Sequence, residues 1–263
     1  MSDGAARLER AFRDAGGPLF IPYVMGGFPD VATSARYASV LARHADIIEL
    51  GIPFSDPLAD GPTIQAAGQR ALEAGTTPED VLGIAASLRR GPPVVVMTYL
   101  NAVLAPGARV FLERAAAAGV AGLIVPDLPI DESDELRGQA ERAGVALVPL
   151  AAPTSSDERL AAIGRRAQGF VYCVAVTGVT GGEIAVDAAL TDFLSRARRE
   201  IAAPLAVGFG VRTAEQAGAI GSLADGVIIA SQLIRLIESA PSAAAAEAAL
   251  DALAGDIRGA LRP

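Results

Sequence analysis

The stretch that decides the fold reads Glu49-Leu50-Gly51-Ile52-Pro53-Phe54-Ser55-Asp56-Pro57-Leu58-Ala59-Asp60-Gly61-Pro62. It continues a strand-like apolar run at 46–50 and then enters a loop bracketed by prolines. Pro62 suits the first position of a helix, because that position needs no N–H. A Glu at the end of an apolar strand is costly when buried without a partner, so Glu49 needs a cleft. A solvated strand end and turn-forming aspartates are the plain alternative, but several carboxylates beside one stiffened loop favour a site.

Composition restricts the class of protein. The chain has 263 residues, of which 51% are hydrophobic, so it can bury the core of one α/β barrel. Its net charge is −8, and its basic residues do not cluster beyond adjacent pairs, which argues against nucleic-acid binding. No uninterrupted apolar run approaches the length of a membrane span, and the first residues lack the pattern of a secretory signal. These features predict a soluble, cytoplasmic protein that binds neither nucleic acid nor membrane.

The chain lacks lysine and has one histidine and one cysteine, which excludes several kinds of catalytic mechanism. All 22 basic residues are Arg, so a Schiff-base lysine, a lysine-anchored pyridoxal phosphate and a P-loop lysine are absent. The single histidine, His44, stands at the end of a predicted helix, where a positive charge favours the helix dipole. The single cysteine, Cys173, lies in an apolar run and is expected to be a core residue. We therefore predict no metal site and acid–base chemistry that rests on carboxylates, tyrosines or backbone dipoles.

Short apolar strands alternate with helices along the chain. The predicted strands are 19–25, 46–50, 94–97, 122–125, 145–150, 169–174, 204–207 and 226–229. The predicted helices are 31–44, 62–74, 77–90, 108–118, 132–143, 156–166, 187–200, 213–222 and a helical tail at 231–260, with a preliminary helix at 4–15. Eight β/α units in this length predict an α/β fold, a single (β/α)₈ TIM barrel over residues 1–263 with an extra N-terminal helix.

In such a barrel the site lies at the carboxyl ends of the strands. Glu49 ends the second predicted strand, Asp60 lies in the loop that follows it, and Asp127 follows the fourth. Tyr23 and Tyr172 lie in the first and sixth predicted strands, and Tyr99 lies just after the third.

Small residues follow the last three predicted strands. The segments are Thr177–Gly182, which contains Gly181, then Gly208-Phe209-Gly210, and then Ala230-Ser231. Free backbone N–H groups in such turns can hold a phosphate without a lysine. As a set, these three turns favour a phosphate ester as substrate.

Several motifs together resemble a known family. The run 49–65, Met97-Thr98-Tyr99, Val125-Pro126-Asp127-Leu128-Pro129, Gly178-Val179-Thr180-Gly181 and Gly208-Phe209-Gly210 resemble the tryptophan synthase α subunit family over essentially the whole chain. The resemblance implies a (β/α)₈ barrel that cleaves indole-3-glycerol phosphate to indole and glyceraldehyde 3-phosphate. It also implies an α2β2 complex in which indole passes to a β subunit that carries pyridoxal phosphate, and no cofactor in this chain.

The resemblance also implies roles for single residues. Glu49 is the expected general acid–base residue and Asp60 its ionised partner. The expected indole side consists of Tyr23, Tyr99, Asp127 and Tyr172. The expected phosphate side consists of Gly181, Phe209, Gly210, Ala230 and Ser231. Loop closure and the contact with the β subunit are expected to involve Pro53, Asp56, Pro57, Asn101 and Thr180.

This chain departs from the family pattern in a few places. It has Ala230 where the family usually has Gly, Ala175 where Ser is frequent, Glu183 near a position that is usually Arg, and Ala102 where Pro often follows Asn. A methyl group at 230 is expected to crowd a backbone that approaches phosphate. Two alternatives stay open at this point. One is a lyase that works alone and releases free indole, and the other is a poorly active subunit that regulates a β subunit.

Overall fold

The strands of the chain form one parallel sheet that curves into a barrel. The structure, a computed structural model, describes residues 3–174, 188–208 and 210–262. The strands are β1 Leu19–Met25, β2 Ile48–Gly51, β3 Val94–Met97, β4 Val120–Ile124, β5 Ala146–Val148, β6 Leu150–Ala151, β7 Val171–Val174, β8 Leu205–Gly208 and β9 Gly226–Ile229. Their order in the sheet is β5-β4-β3-β2-β1-β9-β8-β7-β6.

The first and last strands in this order, β5 and β6, are separated in the chain by one residue. Pro149 alone separates β5 from β6, so these short strands are two parts of one barrel strand that the sequence predicts as 145–150. The backbone N–H of Tyr172 donates to the Pro149 carbonyl at 3.0 Å, which continues the ladder across the break. Proline cannot donate to the ladder and therefore interrupts the assigned strand. Counted this way the barrel has eight strands, and the predicted (β/α)₈ fold is confirmed.

Helices follow the strands as the predicted alternation requires. They are α1 Asp3–Asp14, α2 Val31–Leu41, α3 Pro62–Glu73, α4 Pro78–Ser87, α5 Leu100–Leu104, α6 Ala108–Ala117, α7 Asp134–Ala143, α8 Asp157–Arg166, α9 Ala188–Glu200, α10 Ala214–Gly221, α11 Ser231–Ser239 and α12 Ala243–Leu261. The short helix α5 was not predicted, and the predicted tail is two helices that part around Pro241. Across the ranges that the structure covers, no helix has the length and apolar character needed to span a membrane.

Local sequence explains where helices begin. Pro62 occupies the first turn of α3, as predicted. Asp30 caps α2 by accepting the N–H of Thr33 at 2.8 Å. Thr77 and Asp80 form a reciprocal capping box at the start of α4. The caps of α2 and α4 satisfy N–H groups that the first helical turn leaves unpaired, whereas Pro62 has no N–H to satisfy.

Successive side chains of each strand point to opposite faces of the sheet, so the core has two layers, one inside the barrel and one between the sheet and the helices. In β2, Ile48 and Leu50 face outward into the layer between sheet and helices. Ile47, just before β2, packs inside the barrel, and Glu49 points the same way because side chains alternate between the faces of a strand. The barrel interior is therefore filled by every second residue, and a polar residue at one of these positions lies within the barrel.

The N-terminal helix α1 covers one end of the barrel. Its Leu8 is fully buried, and a Cβ added at Gly122 or Gly169 would lie 3.0 or 2.8 Å from the Leu8 side chain. The Gly4 N–H also donates to the Gly144 carbonyl at 2.8 Å. Helix α1 thus covers the barrel end at which the strands begin, and the carboxyl ends of the strands are not covered by it.

Candidate active site

Glu49 is a buried carboxyl group inside the barrel. It lies in β2 between Tyr23 of β1 and Val95 of β3, which are its partners in register. The residue is 1% exposed, and neither carboxylate oxygen has a hydrogen-bond partner among the described residues. Burial raises the pKa of Glu49 to about 8, and the charge of Asp60 adds to the shift. At neutral pH this carboxyl is therefore mainly protonated and can donate a proton.

Asp60 approaches the same space from the loop between β2 and α3. The side chain of Gln65 in α3 donates to the carbonyls of Asp60 at 2.9 Å and Pro57 at 3.3 Å, which fastens the loop. Burial raises the pKa of Asp60 to about 6, while a hydrogen bond from Tyr99 lowers it. Asp60 is therefore mostly ionised at pH 7. The two carboxyls thus have opposite charge states, the arrangement that divides acid from base in many active sites.

Two of the predicted tyrosines lie across glycines of neighbouring strands. A Cβ added at Gly51 would lie 1.9 Å from the Tyr23 hydroxyl, and one added at Gly208 would lie 2.3 Å from the Tyr172 hydroxyl. Both rings are buried, and burial raises the pKa of each phenol well above its usual value. Both hydroxyls therefore stay protonated, and both tyrosines line the cavity beside Glu49.

The third predicted tyrosine, Tyr99, has a different position. Its hydroxyl accepts the Ala59 N–H at 3.0 Å, and its ring stacks on Phe54 with centroids 5.0 Å apart. Tyr99 is buried but is not among the described residues that line the cavity. The structure thus connects Tyr99 to the loop that carries Asp60.

Asp127 is exposed at the rim of the cavity. Its Oδ1 accepts the backbone N–H of Leu100 at 2.8 Å, which holds the start of α5. Asp127 also lines the cavity. The predicted residue is therefore at the site, with one oxygen already engaged by the backbone.

One cavity of about 890 Å³ brings these groups together. Its wall near Glu49 is apolar and aromatic, with side chains from strands and from α3. The wall consists there of Tyr23, Ile64, Met97, Ile124, Tyr172 and Ile228. An apolar and aromatic lining with a few polar groups suits an aromatic ligand.

Another part of the cavity lining contains the described residues of the predicted phosphate side. Gly210 follows β8 with a φ of 76°, a conformation that favours glycine. Ala230 caps α11 and Ser231 is its first residue, so a helix N-terminus lies at the cavity lining. The φ of Ala230 is −124°, outside the left-handed region that favours glycine, and its methyl packs against the cluster around Tyr23 and Ile234. Gly181 and Phe209 lie outside the described residues.

The described residues predicted for loop closure lie in the loop after β2 and in α5. Pro53 is buried and Pro57 is half-buried, whereas Asn101 in α5 and Asp56 are exposed. Asp56 accepts the Ser55 hydroxyl at 2.6 Å. Thr180, like Ala175 and Glu183, lies outside the described residues.

Sequence reasoning missed several residues of the site. Phe54, which stacks on Tyr99, carries no polar group to draw attention to it. Ile64, Met97 and Ile124 line the cavity, and strand alternation could have identified the last two from the side on which Glu49 lies. His44 is far from this chemistry, since its ring nitrogen lies 2.7 Å from Asp251 of α12.

The family is decided by comparison with known proteins. A family model described as tryptophan synthase alpha chain matches residues 10–261. This chain belongs to that family. A tryptophan synthase alpha chain of Carboxydothermus hydrogenoformans is 46% identical over 86% of this chain and 86% of its own length. The corresponding chain of Gloeobacter violaceus is 48% identical over 84% and 82%.

Solved structures of tryptophan synthase agree with the family assignment. A chain of Mycobacterium tuberculosis tryptophan synthase superimposes with a TM-score of 0.89, 36% identity and 98% coverage of both chains. A chain of the tryptophan synthase α2β2 complex of Pyrococcus furiosus gives 0.87 at 37% identity, covering 93% of this chain and 99% of its own. The barrel fold is therefore that of the tryptophan synthase alpha chain family.

Burial of Glu49 predicts a pH-dependent cost to stability. The pKa rises from 4.5 to about 8 on folding, so stability is full below pH 4.5 and is lost as the pH rises towards 8. Glu49→Gln removes that loss and should raise the free energy of unfolding at pH 8.5 by a few kcal/mol, of the order that such a shift implies. Urea unfolding at pH 4.5 and 8.5 measures it, with the exposed Glu132→Gln as the matched control. A gain that is the same at both pH values would contradict the burial argument.

The close contact between Tyr23 and Gly51 predicts that a side chain at position 51 lowers the stability of the fold. Gly51→Ala places a methyl against the Tyr23 hydroxyl, so the ring must move, and overpacking of this kind costs about 1–3 kcal/mol. Gly83→Ala is the control, because a Cβ there meets nothing within 4 Å and helix α4 favours alanine. Urea unfolding of both variants should show a loss for the first and none for the second. Wild-type stability of Gly51→Ala would mean that the ring yields freely.

Proposed function

We propose that this chain, as one catalytic domain over residues 1–263, cleaves indole-3-glycerol phosphate to indole and glyceraldehyde 3-phosphate, the lyase reaction of tryptophan biosynthesis. The observation that carries the proposal is the buried carboxyl group of Glu49, which has no hydrogen-bond partner among the described residues and lines one cavity with Asp60. Family membership supports the same reaction. A carbonyl-forming C–C cleavage without lysine needs another electron sink, and a protonated indole ring supplies it.

The two walls of the cavity suit the two ends of this substrate. The apolar wall around Tyr23, Ile124 and Tyr172 fits the flat indole ring. The wall around Gly210, Ala230 and Ser231 offers backbone N–H groups and a helix N-terminus to the phosphate. Glu49 lies inside the barrel at the apolar wall, where the C3 position of an indole would lie.

Glu49 moves two protons in this scheme. Its carboxyl group gives a proton to indole C3, which makes the ring a cation. The resulting carboxylate takes the proton of the glycerol C3′ hydroxyl as the C3–C3′ bond breaks. The bonding electron pair returns to the ring, the hydroxyl carbon becomes the aldehyde, and Glu49 ends in its protonated form. One buried carboxyl can thus act as acid and then as base.

Asp60 stabilises the charge that appears between these steps. Its carboxylate would accept the indole N–H and lower the energy of the cationic ring. An anion aimed at developing charge in a water-poor site is worth a few kcal/mol of the barrier. The interaction with Tyr99 favours the ionised form of Asp60 and so opposes the effect of burial on its pKa.

A partner subunit follows from the relatives. The solved Pyrococcus furiosus protein is a tryptophan synthase α2β2 complex, and we infer a β subunit for this chain also. The exposed loop supports a docking surface, since Leu58 is 91% exposed beside Asp56 and Pro57. Pyridoxal phosphate would belong to that β subunit, because the mechanism above needs no cofactor here. The cytoplasmic location predicted from the sequence stays a prediction.

Release of indole tests the proposal directly. The purified chain should release indole from indole-3-glycerol phosphate slowly alone, and at least about tenfold faster with a β subunit that completes the loop contacts. Glu49→Gln should lose about 10²–10⁴-fold in turnover while it keeps its fold and its affinity for the β subunit, because only the proton donor is removed. Wild-type turnover by this variant would exclude Glu49 from the chemistry. Fast release without any partner would instead support a lyase that works alone.

The two carboxyl groups predict a bell-shaped pH profile. The reaction needs Asp60 ionised and Glu49 protonated, so kcat/KM should rise with pH through about 6 and fall through about 8. Stopped assays of indole from pH 5 to 9 measure the two limbs. Asp60→Asn should remove the acid limb and lower the maximum by about 10²-fold or more. A flat profile over this range would contradict the assignment of both groups.

A further inference from the structure

The aromatic pair of Phe54 and Tyr99 lies beside Asp60 without lining the cavity. The rings are 5.0 Å apart and 16° from parallel, which is a stacked geometry. Phe54 is half-buried at the start of the loop between β2 and α3, and Tyr99 is buried just after β3. The stack therefore connects the beginning of the loop to a neighbouring strand.

The Tyr99 hydroxyl contacts the far end of the same loop. It accepts the Ala59 N–H at 3.0 Å. Its interaction with the neighbouring Asp60 carboxylate lowers the pKa of Asp60. Gln65 holds this part of the loop too, through the backbone carbonyls of Pro57 and Asp60. Tyr99 therefore contacts the residue next to Asp60 and acts on the Asp60 carboxyl itself.

We propose that Phe54 and Tyr99 are positioning residues that hold the Asp60 carboxylate in place. The Phe54 ring fixes the plane of Tyr99, and the Tyr99 hydroxyl then fixes both the Ala59 amide and the Asp60 carboxylate. The inference rests on the proposed function, in which Asp60 stabilises the indole cation, and it assigns to Tyr99 a role other than a wall for indole.

Charge explains why this support matters at this position. Burial alone pushes Asp60 towards the neutral form. A hydrogen bond from Tyr99 favours the charged form, and bonds to ionised groups are the strong ones. A phenol that rotates away would leave Asp60 both mobile and more easily protonated. The stack with Phe54 restricts that rotation because offset aromatic rings prefer a defined geometry.

Titration of Asp60 tests the inference without any activity. Carbon-13 NMR of labelled aspartate carboxyls follows the pKa, with the Asp60 signal assigned from Asp60→Asn. Tyr99→Phe keeps the ring and removes the hydroxyl, so the pKa of Asp60 should rise by about one unit, the order expected for one charge-assisted bond. Phe54→Leu should shift it in the same direction by less, and Phe54→Tyr should restore the wild-type value.

A matched aromatic pair provides the control. Phe12 is half-buried like Phe54 and packs on Phe170 with centroids 5.6 Å apart, at the end of the barrel that α1 covers. Phe12→Leu removes an aromatic contact of similar kind and should leave the Asp60 titration unchanged. Equal shifts in Phe12→Leu and Phe54→Leu would mean a general loss of packing and would overturn the inference. An unshifted Asp60 in Tyr99→Phe would overturn it too.

Kinetics of the isolated chain supply the second readout. The acid limb of kcat/KM should move to higher pH by the same amount as the NMR titration, and kcat at pH 6 should fall about fivefold in Tyr99→Phe and about threefold in Phe54→Leu, with KM little changed. A fall in kcat without movement of the limb would indicate a structural role only and would overturn the inference. Shifted titrations in a chain that cleaves no substrate would reject the proposed function and leave the positioning role standing.

Discussion

The buried, unpartnered carboxyl group of Glu49 is the constraint on which the site depends. An ionised carboxylate inside a barrel loses its hydration, and no described side chain replaces it. The group responds by holding its proton, so its pKa rises to about 8. A packed barrel interior is the environment that gives this result, since it excludes water and aligns apolar residues such as Ile47 on the same face. Burial of Glu49 thus makes its ionised form unfavourable, and for the same reason the group can donate a proton at neutral pH.

Asp60 differs from Glu49 because it comes from a loop. It is partly exposed, it receives a hydrogen bond from Tyr99, and its pKa rises only to about 6. The two groups also influence each other, since the charge of Asp60 favours the proton on Glu49. One carboxyl held by a strand and one by a loop therefore settle into opposite charge states near pH 7. Glu49 can act as the acid because it lies within a buried strand, and Asp60 can act as the stabilising anion because it lies in a partly exposed loop.

The sequence was sufficient for most of the fold, and physical reasons account for the exceptions. Strands β1, β3 and β9 have the predicted bounds, because short apolar runs between turn residues are strong signals. The break at Pro149 could be foreseen from a missing N–H, whereas the five-residue helix α5 could not, since a helix of that length depends on its surroundings. There, Asp127 holds the Leu100 N–H from 27 positions away, and a contact of that kind is invisible to local pattern.

The site was predictable in its charges and less so in its contacts. Glu49, Asp60, Tyr23, Tyr172, Gly210, Ala230 and Ser231 all line one cavity, since the carboxyl ends of barrel strands converge. Tyr99 was expected at the indole, but its hydroxyl is engaged by Ala59 and Asp60. The difference arises because strand position places a residue near the cavity, whereas hydrogen-bond partners decide what its polar end does.

Gly51 and Gly208 leave room for the two tyrosines that border the cavity beside Glu49. Tyr23 and Tyr172 can occupy their positions because Gly51 and Gly208 on the neighbouring strands have no side chains. Both rings border the cavity that also contains Glu49. An added Cβ at either glycine would lie within 2.3 Å of a tyrosine hydroxyl, so the ring would have to move. The two glycines therefore help to set the shape of the space beside Glu49, although neither carries a functional group.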